Sequence, residues 1–304
     1  MDTPDIITLA EARTLGTSRR ALQNSRAEHH LHGLYSPLRR ERDGETLHRS
    51  LLRAASSAAT DVASHESAAR LWGFPGSMVP SEIQLLSISG DRRRRVQGMA
   101  GRRGLVLPDE TTVLGGIPVT TPARTWLDLA RTSGVLRLVL WADWLFNPVW
   151  GGDWEREPLA TPTELRALLD RHRGKPGIRK ARAAADRAKV GSDSPKETEL
   201  RLALVDAGLP EPAVNQWIID PRTGSRVHRG DLTYDEFRID LEYEGEHHSR
   251  PGQVQRDIAR AERLRAADWL ELRFSSMHSR HGWLPAVHKT REALLSRGWV
   301  PRGD

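Results

Sequence analysis

The sequence predicts a multidomain α+β protein whose last third is an α/β layer with a mixed sheet. Three observations lead there. Capped helical segments alternate with short strand-like runs along the whole chain. A loop of Gly, Pro and charge, NPVWGGDWEREP at 147–158, interrupts that alternation. Residues 226–248, RVHRGDLTYDEFRIDLEYEGEHH, read as two strands around a tight turn and gather an unusual density of acid. At 304 residues the chain is long enough for two or three cores. Its 38% hydrophobic and 28% charged content suits a globular protein rather than a disordered one. No apolar run approaches the ~18 residues of a membrane span, and the N-terminus lacks the basic-then-apolar order of a leader. Zero cysteines exclude disulfides and thiolate zinc sites. A cytoplasmic location is expected. The net charge of +6 is carried mostly by arginine, which suits phosphate, although a GC-rich genome favours the same residue.

Residues 1–45 read as a small helical unit. Ile6 to Leu15 has a helix pattern ended by Gly16, and Thr17 or Ser18 can cap a second helix from Arg19 to His30. The tail LHGLYSPL places His32-Gly33 between apolar residues, as in a small β wing. Helix, Gly turn, capped basic helix and wing is the order of a winged helix-turn-helix. The second helix of that fold presents its first residues to base edges, here Ser18, Arg19, Arg20, Gln23 and Asn24. A solvated helical hairpin explains the same spacing.

Residues 46–150 form an α+β block. It opens with a helix from Thr46 to Ala63, and SHESAARLWGFP is a second, stopped by Gly73 and Pro75. SEIQLLSIS is a strand, DRRRRVQGMAGRRG a basic loop, and LVLP with TVLGGIPVTTP a strand and turn. Thr121 to Leu145 is one or two helices with an apolar face. Arg92, Arg93, Arg94 and Arg95, with Arg102 and Arg103, are placed either to contact phosphates or to lie solvated. His65 and Glu66 begin a helix, where capping is the simpler role.

Residues 151–191 are a linker and bridging helices, TPTELRALLDRH and the basic KPGIRKARAAADRA. The last domain spans 192–304. Ser194-Pro195 caps and starts a helix from Lys196 to Ala207, stopped by Gly208. VNQWIID is a strand, followed by the acid hairpin and the loop HSRPGQ. A helix from Val254 to Ala267, the strand WLELRFS and the helix WLPAVHKTREALLSRG complete the layer.

Along the second hairpin strand, Asp240, Glu242 and Glu244 alternate with Ile239, Leu241 and Tyr243, so the acids share one face. Such a face needs full solvation or a cation, and a hard divalent ion prefers oxygen ligands. Asp231 and Glu242 can meet on adjacent strands, with Glu197 reaching them from the preceding helix. Cutting a phosphodiester needs an activated water, charge stabilisation and help for the leaving oxygen, which Mg²⁺ or Mn²⁺ held by carboxylates can supply. Asp240 is expected at the surface or in a salt bridge.

The string SPKETELR…LVDAGLPEP…NQWIID…GDLTYDEFRIDLEYEGEHH…QRDIARAERLRAADWLELRF, over about 192–276, resembles the DUF559 domain. That family is similar to the very-short-patch-repair (Vsr-like) endonucleases of the PD-(D/E)xK superfamily. The resemblance implies a restriction-endonuclease-like mixed sheet flanked by helices, and a divalent metal. It makes Glu197 the helix acid, Asp231 the acid of the first strand and Glu242 the acid of the second. Glu244 stands where superfamily members often carry a catalytic lysine and DUF559 sequences carry Asp. The missing cation would come from Arg256, Arg260 or a second metal. His247 and His248 would serve proton transfer or phosphate contact, and Asp257 with Arg260 matches a D-x-x-R helix, read as an intrahelical pair.

The N-terminal part, LGTSRRAL…HHLHGLYSP and RRGLVLP…TTVLGGIPVTTPARTWLDLA, resembles the AbiEi-type antitoxins. This implies a winged helix that binds DNA, often autoregulatory and sometimes beside a nucleotidyltransferase toxin. His32 replaces the arginine usual at that wing. Two functions follow as expectations. One is a metal-dependent DNA endonuclease, and the other a DNA-binding regulator or antitoxin with an inactive nuclease-like domain. A purely structural hairpin with solvated acids is the third reading.

Overall fold

A computed structural model of the chain describes residues 6–24, 27–31, 33–36, 41–57, 59–88, 95–148, 157–245 and 253–301. The architecture is α+β, with three sheets and helices throughout. The chain divides into two compact units. One comprises 1–141 with 160–183, the other 142–159 with 184–304. The helices at 162–183, expected as a bridge, thus fold with the first unit. Among the described residues, no helix is long and apolar enough to cross a membrane.

The first unit begins with β1 (Ile7–Thr8), α1 (Leu9–Thr14), α2 (Arg19–Asn24), β2 (Glu28–Leu31) and β3 (Leu34–Ser36), whose strands order β1-β3-β2. Ile7 is in a strand rather than in the predicted helix because Thr8 ends it as an N-cap. Its hydroxyl accepts from the Glu11 N–H, and the Glu11 carboxylate accepts from the Thr8 N–H. The second helix stops at Asn24, well short of His30. Glu28 and His29 instead pair with Ser36 and Tyr35 across the wing.

There follow α3 (Gly44–Ala55), β4 (Asp61–Ala63), α4 (His65–Trp72), β5 (Ile83–Ser87), β6 (Arg95–Val96), β7 (Met99–Arg103), β8 (Thr111–Leu114), β9 (Ile117–Thr120), α5 (Pro122–Leu129), α6 (Val135–Phe146), α7 (Pro162–Arg171) and α8 (Ile178–Arg187). The six-stranded sheet orders β6-β7-β5-β4-β9-β8. Two expectations change here. The helix from Thr46 ends at Ala55, because Asp61–Ala63 is claimed by β5 and β9. The C-terminal part of the basic loop is a β hairpin, with Arg102 and Arg103 paired to Leu86 and Ser87. Buried charges tie this unit together. Arg124 lies between Glu110 and Asp128, Lys175 also reaches Asp128, and His172 meets Glu110.

The second unit holds α9 (Pro195–Asp206), β10 (Ala213–Ile219), β11 (Arg226–Tyr234), β12 (Ile239–Glu244), α10 (Gln253–Ala266), β13 (Leu270–Ser275), α11 (Ser276–Arg280) and α12 (Leu284–Ser296). Its sheet is β10-β11-β12-β13, antiparallel except for the last pair. Ile239, Leu241, Leu232, Leu272 and Phe274 bury one face with Leu200 of α9 and Leu294 of α12. Each such side chain contributes roughly 1.5–3 kcal/mol. The opposite face packs under α10, where Ile218 meets Leu264. Asp143, in the last turn of α6, a turn that belongs to this second unit, anchors α9, accepting from Thr198 Oγ1 at 2.8 Å and Arg201 Nη2 at 3.1 Å.

Candidate active site

The site grows from the pairing of β11 with β12. The ladder sets Leu232, Thr233 and Tyr234 opposite Leu241, Asp240 and Ile239. Beyond it, side chains replace carbonyls as acceptors. The Asp231 N–H donates to Glu242 Oε1 at 3.1 Å, and the Tyr243 N–H donates to Asp231 Oδ2 at 2.8 Å. A Cβ on Gly230 would run into Asp240 Oδ1, so Gly230 faces the acid side while Leu232 faces the core. Residues two apart on a regular strand share a face, so the side-chain alternation of β11 breaks at Asp231, although its register with β10 runs on unchanged from Thr233 to His228.

The alternation read from the sequence is present: Ile239 and Leu241 enter the core, and Asp240 and Glu242 take the other face. That face is not solvated. Asp240 is 0% and Glu242 6% exposed, so Asp240 is not at the surface, and it makes no salt bridge among the described residues. Glu271 and Arg273 of β13 stand opposite Asp240 and Glu242. The cations come from α10 and β13. Arg260 Nη1 lies 3.2 Å from Glu242 Oε2, and its Nε is 3.2 Å from Glu271 Oε1 as an ion pair without an aligned hydrogen bond. The predicted intrahelical partner, Asp257, is farther from Arg260, at 3.7 Å. Glu244 is half exposed and pairs with Arg273 at 2.9 Å.

Glu197 sits in the first turn of α9, where Ser194 caps the helix. Its Oε2 accepts from the Asp193 N–H at 2.9 Å and from Asn215 Nδ2 at 3.0 Å. Burial pushes its carboxyl up to about 7. Asp231 is pushed up to about 8, by burial first and then by the charges of Glu242 and Glu197. Asp240 rises to about 9, again by burial and then by Glu242, Asp231 and Glu271, with Arg260 opposing. Of the predicted acids, Asp231 thus feels the charges of both Glu242 and Glu197.

Sequence reasoning missed His228, whose Nε2 is 3.1 Å from Glu242 Oε1. It is three residues from Asp231, and regular alternation would send it to the other face. Glu271 was also missed, since only the parallel register of β13 brings it opposite Asp240. Donor atoms of His228, Asp240 and Glu242 all lie within 4.8 Å of one another.

His247, His248, Arg92, Arg93 and Arg94 lie outside the described residues. Arg256 is in α10, Gln23 and Asn24 in α2 and Arg95 in β6, with only their backbone described. Ser18 accepts from the Ala21 N–H at 3.1 Å and caps α2, while Arg19 and Arg20 are exposed. In the middle block, Ser64 makes no side-chain cap to α4. Instead the Glu66 N–H donates to Gln84 Oε1, and burial lowers His65 to about 4.

The chain is 32% identical over 157 residues to the uncharacterized proteins MT2308 and Rv2248 of two Mycobacterium tuberculosis strains. The match covers 51% of this chain and 54% of each relative, so the chain spans about half the length of the curated relatives it matches. No protein-family model matches the chain, and no solved structure is significantly similar to it.

Proposed function

We propose that the chain is a cytoplasmic DNA-binding protein whose C-terminal unit hydrolyses DNA phosphodiester bonds with Mg²⁺ or Mn²⁺. The observation that carries this reading is the link between Asp231, whose N–H donates to Glu242 Oε1, and Glu242, with Asp231 raised to about 8 by burial and by the charges of Glu242 and Glu197. Buried carboxylates that suppress one another's ionisation suit a divalent cation, which binds by displacing their protons. Glu197, Asp231 and Glu242 would hold it. When bound, such a cation lowers the pKa of a coordinated water and neutralises charge on the scissile phosphate. The chain's own residues do the rest. Arg260 supplies the permanent positive charge that a lysine at position 244 would have given. The α1–α2 unit with its wing would bring Arg19 and Arg20 to DNA.

A second reading has its own observation. Arg260 already neutralises Glu242, as an internal cation would in a nuclease-like domain that no longer cuts. The chain would then be an AbiEi-type autoregulator, acting alone or with a nucleotidyltransferase toxin. Purified full-length protein with supercoiled, mismatched and branched DNA separates the two. The first reading expects nicking that needs Mg²⁺ or Mn²⁺ and is lost in Asp231→Asn and Glu242→Gln while DNA binding persists. Tight binding by the wild type without metal-dependent cleavage sinks it and leaves the second.

A further inference from the structure

A second cation position is built beside the first, and it calls for a different ion. Asp240 is fully buried, yet neither carboxylate oxygen has a hydrogen-bond partner among the described residues. Opposite it, Thr233 Oγ1 is also buried and unpartnered. The charge of Arg260 is felt by Asp240, but its ion pairs among the described residues are with Glu242, Glu271 and Asp257. An ionised carboxylate in that state costs several kcal/mol unless a charge or donor reaches it. The chain nevertheless makes room for it by carrying glycine at 230, where a Cβ would run into Asp240 Oδ1. Space reserved for a carboxylate that nothing in the fold satisfies points to a ligand.

We infer that His228 Nε2, Asp240 and Glu242 form a cation site of their own, which takes a divalent transition ion such as Mn²⁺ or Zn²⁺ in preference to Mg²⁺ or Ca²⁺. An imidazole nitrogen with two carboxylates is the donor set for such ions, whereas Mg²⁺ and Ca²⁺ prefer oxygen throughout. The donor atoms lie within 4.8 Å of one another. Two donors at ~2.1 Å from one ion stand no more than ~4.2 Å apart, so binding closes the cluster by about half an ångström. The His228–Glu242 pair at 3.1 Å already has the spacing of neighbouring ligands. The site shares only Glu242 with the catalytic reading and needs no cleavage to exist.

The test is Mn²⁺ binding to the full chain, read by equilibrium titration and by electron spin-echo modulation from ligand nitrogen. The wild type is expected to bind two ions, one of them with a nitrogen ligand. His228→Gln should lose the nitrogen signal. Asp240→Asn, which keeps the size of the side chain and one acceptor oxygen but cannot ionise, should weaken that ion at least tenfold. Glu197→Gln should weaken the other ion and keep the nitrogen signal, and Mg²⁺ in tenfold excess should displace only the ion without nitrogen. A wild type with no nitrogen signal, a signal surviving in His228→Gln, or unchanged binding in Asp240→Asn overturns the inference. A single nitrogen-free ion removed by Glu197→Gln overturns it while sparing the catalytic reading. Failure to bind Mn²⁺ at all sinks both.

Discussion

Gly230 and Asp240 occupy one another's space: the carboxylate of the second fills the position where the first would carry its Cβ. Gly230→Ala therefore forces apart two strands that the hairpin holds in register. We expect it to destabilise the protein by ~1–3 kcal/mol, in line with overpacking elsewhere. Combining it with Asp240→Ala should recover most of that loss. A double-mutant cycle by urea denaturation measures the coupling, and additive effects of the two changes would refute it.

Stability should fall as pH rises in metal-free protein. Asp231, Asp240 and Glu197 have carboxyls raised to about 8, 9 and 7. Between the ordinary carboxylate range, ~4, and those values the folded state binds more protons than the unfolded chain. Stability is therefore highest below the unfolded values and is lost as pH climbs through about 7 to 9. Mn²⁺ should reverse the trend, raising the melting temperature more at pH 8.5 than at pH 6. A pH-independent metal effect in thermal melts would contradict this.

Arg260 distinguishes a working site from a silenced one. If its guanidinium stabilises charge on the phosphate, Arg260→Gln should lower cleavage by roughly 10²–10³-fold at saturating metal. If it merely plugs the carboxylates, the same change should raise metal affinity and activity together. Plasmid nicking rates across a Mn²⁺ titration tell the two apart.

Arg19→Ala combined with Arg20→Ala should weaken binding to the protein's own promoter and reduce the salt slope by about 2. Affinity measured by fluorescence anisotropy over a range of salt tests this. An unchanged value at physiological salt would remove the winged-helix role.

Asp143 accepts from Thr198 and Arg201, which follow Glu197 on α9. Arg201→Met would leave that aspartate, pushed up to about 6 by burial, without its cation. A loss of ~3–5 kcal/mol is expected, and Asp143→Leu added to it should restore part. Chemical denaturation of the two variants measures both effects.

The sequence made some of this legible and concealed the rest for identifiable reasons. Alternation along β12 was readable because strand geometry has a strict period, and it placed Asp240 and Glu242 on one face. Their burial was not readable, since α10 covers that face through a crossover that no local pattern encodes. His228 was hidden by the broken alternation of β11 at Asp231, where the strict period of two fails. Glu271 and Arg260 owe their places to the parallel β12–β13 pair and to the helix between them. In the N-terminal unit, composition favoured a helix through His30. Pairing with β3 overrode that local preference.

Asp231 and Glu242 each accept a main-chain N–H from the other's strand. The same oxygens that would grip an ion also stitch the hairpin, so chemistry and architecture draw on one pair of side chains. A descendant that stopped cutting would still be held to those acids by its own sheet. Their presence therefore testifies first to the hairpin. Asn and Gln, which keep an acceptor oxygen while losing the charge, are the replacements that let the two inheritances be told apart.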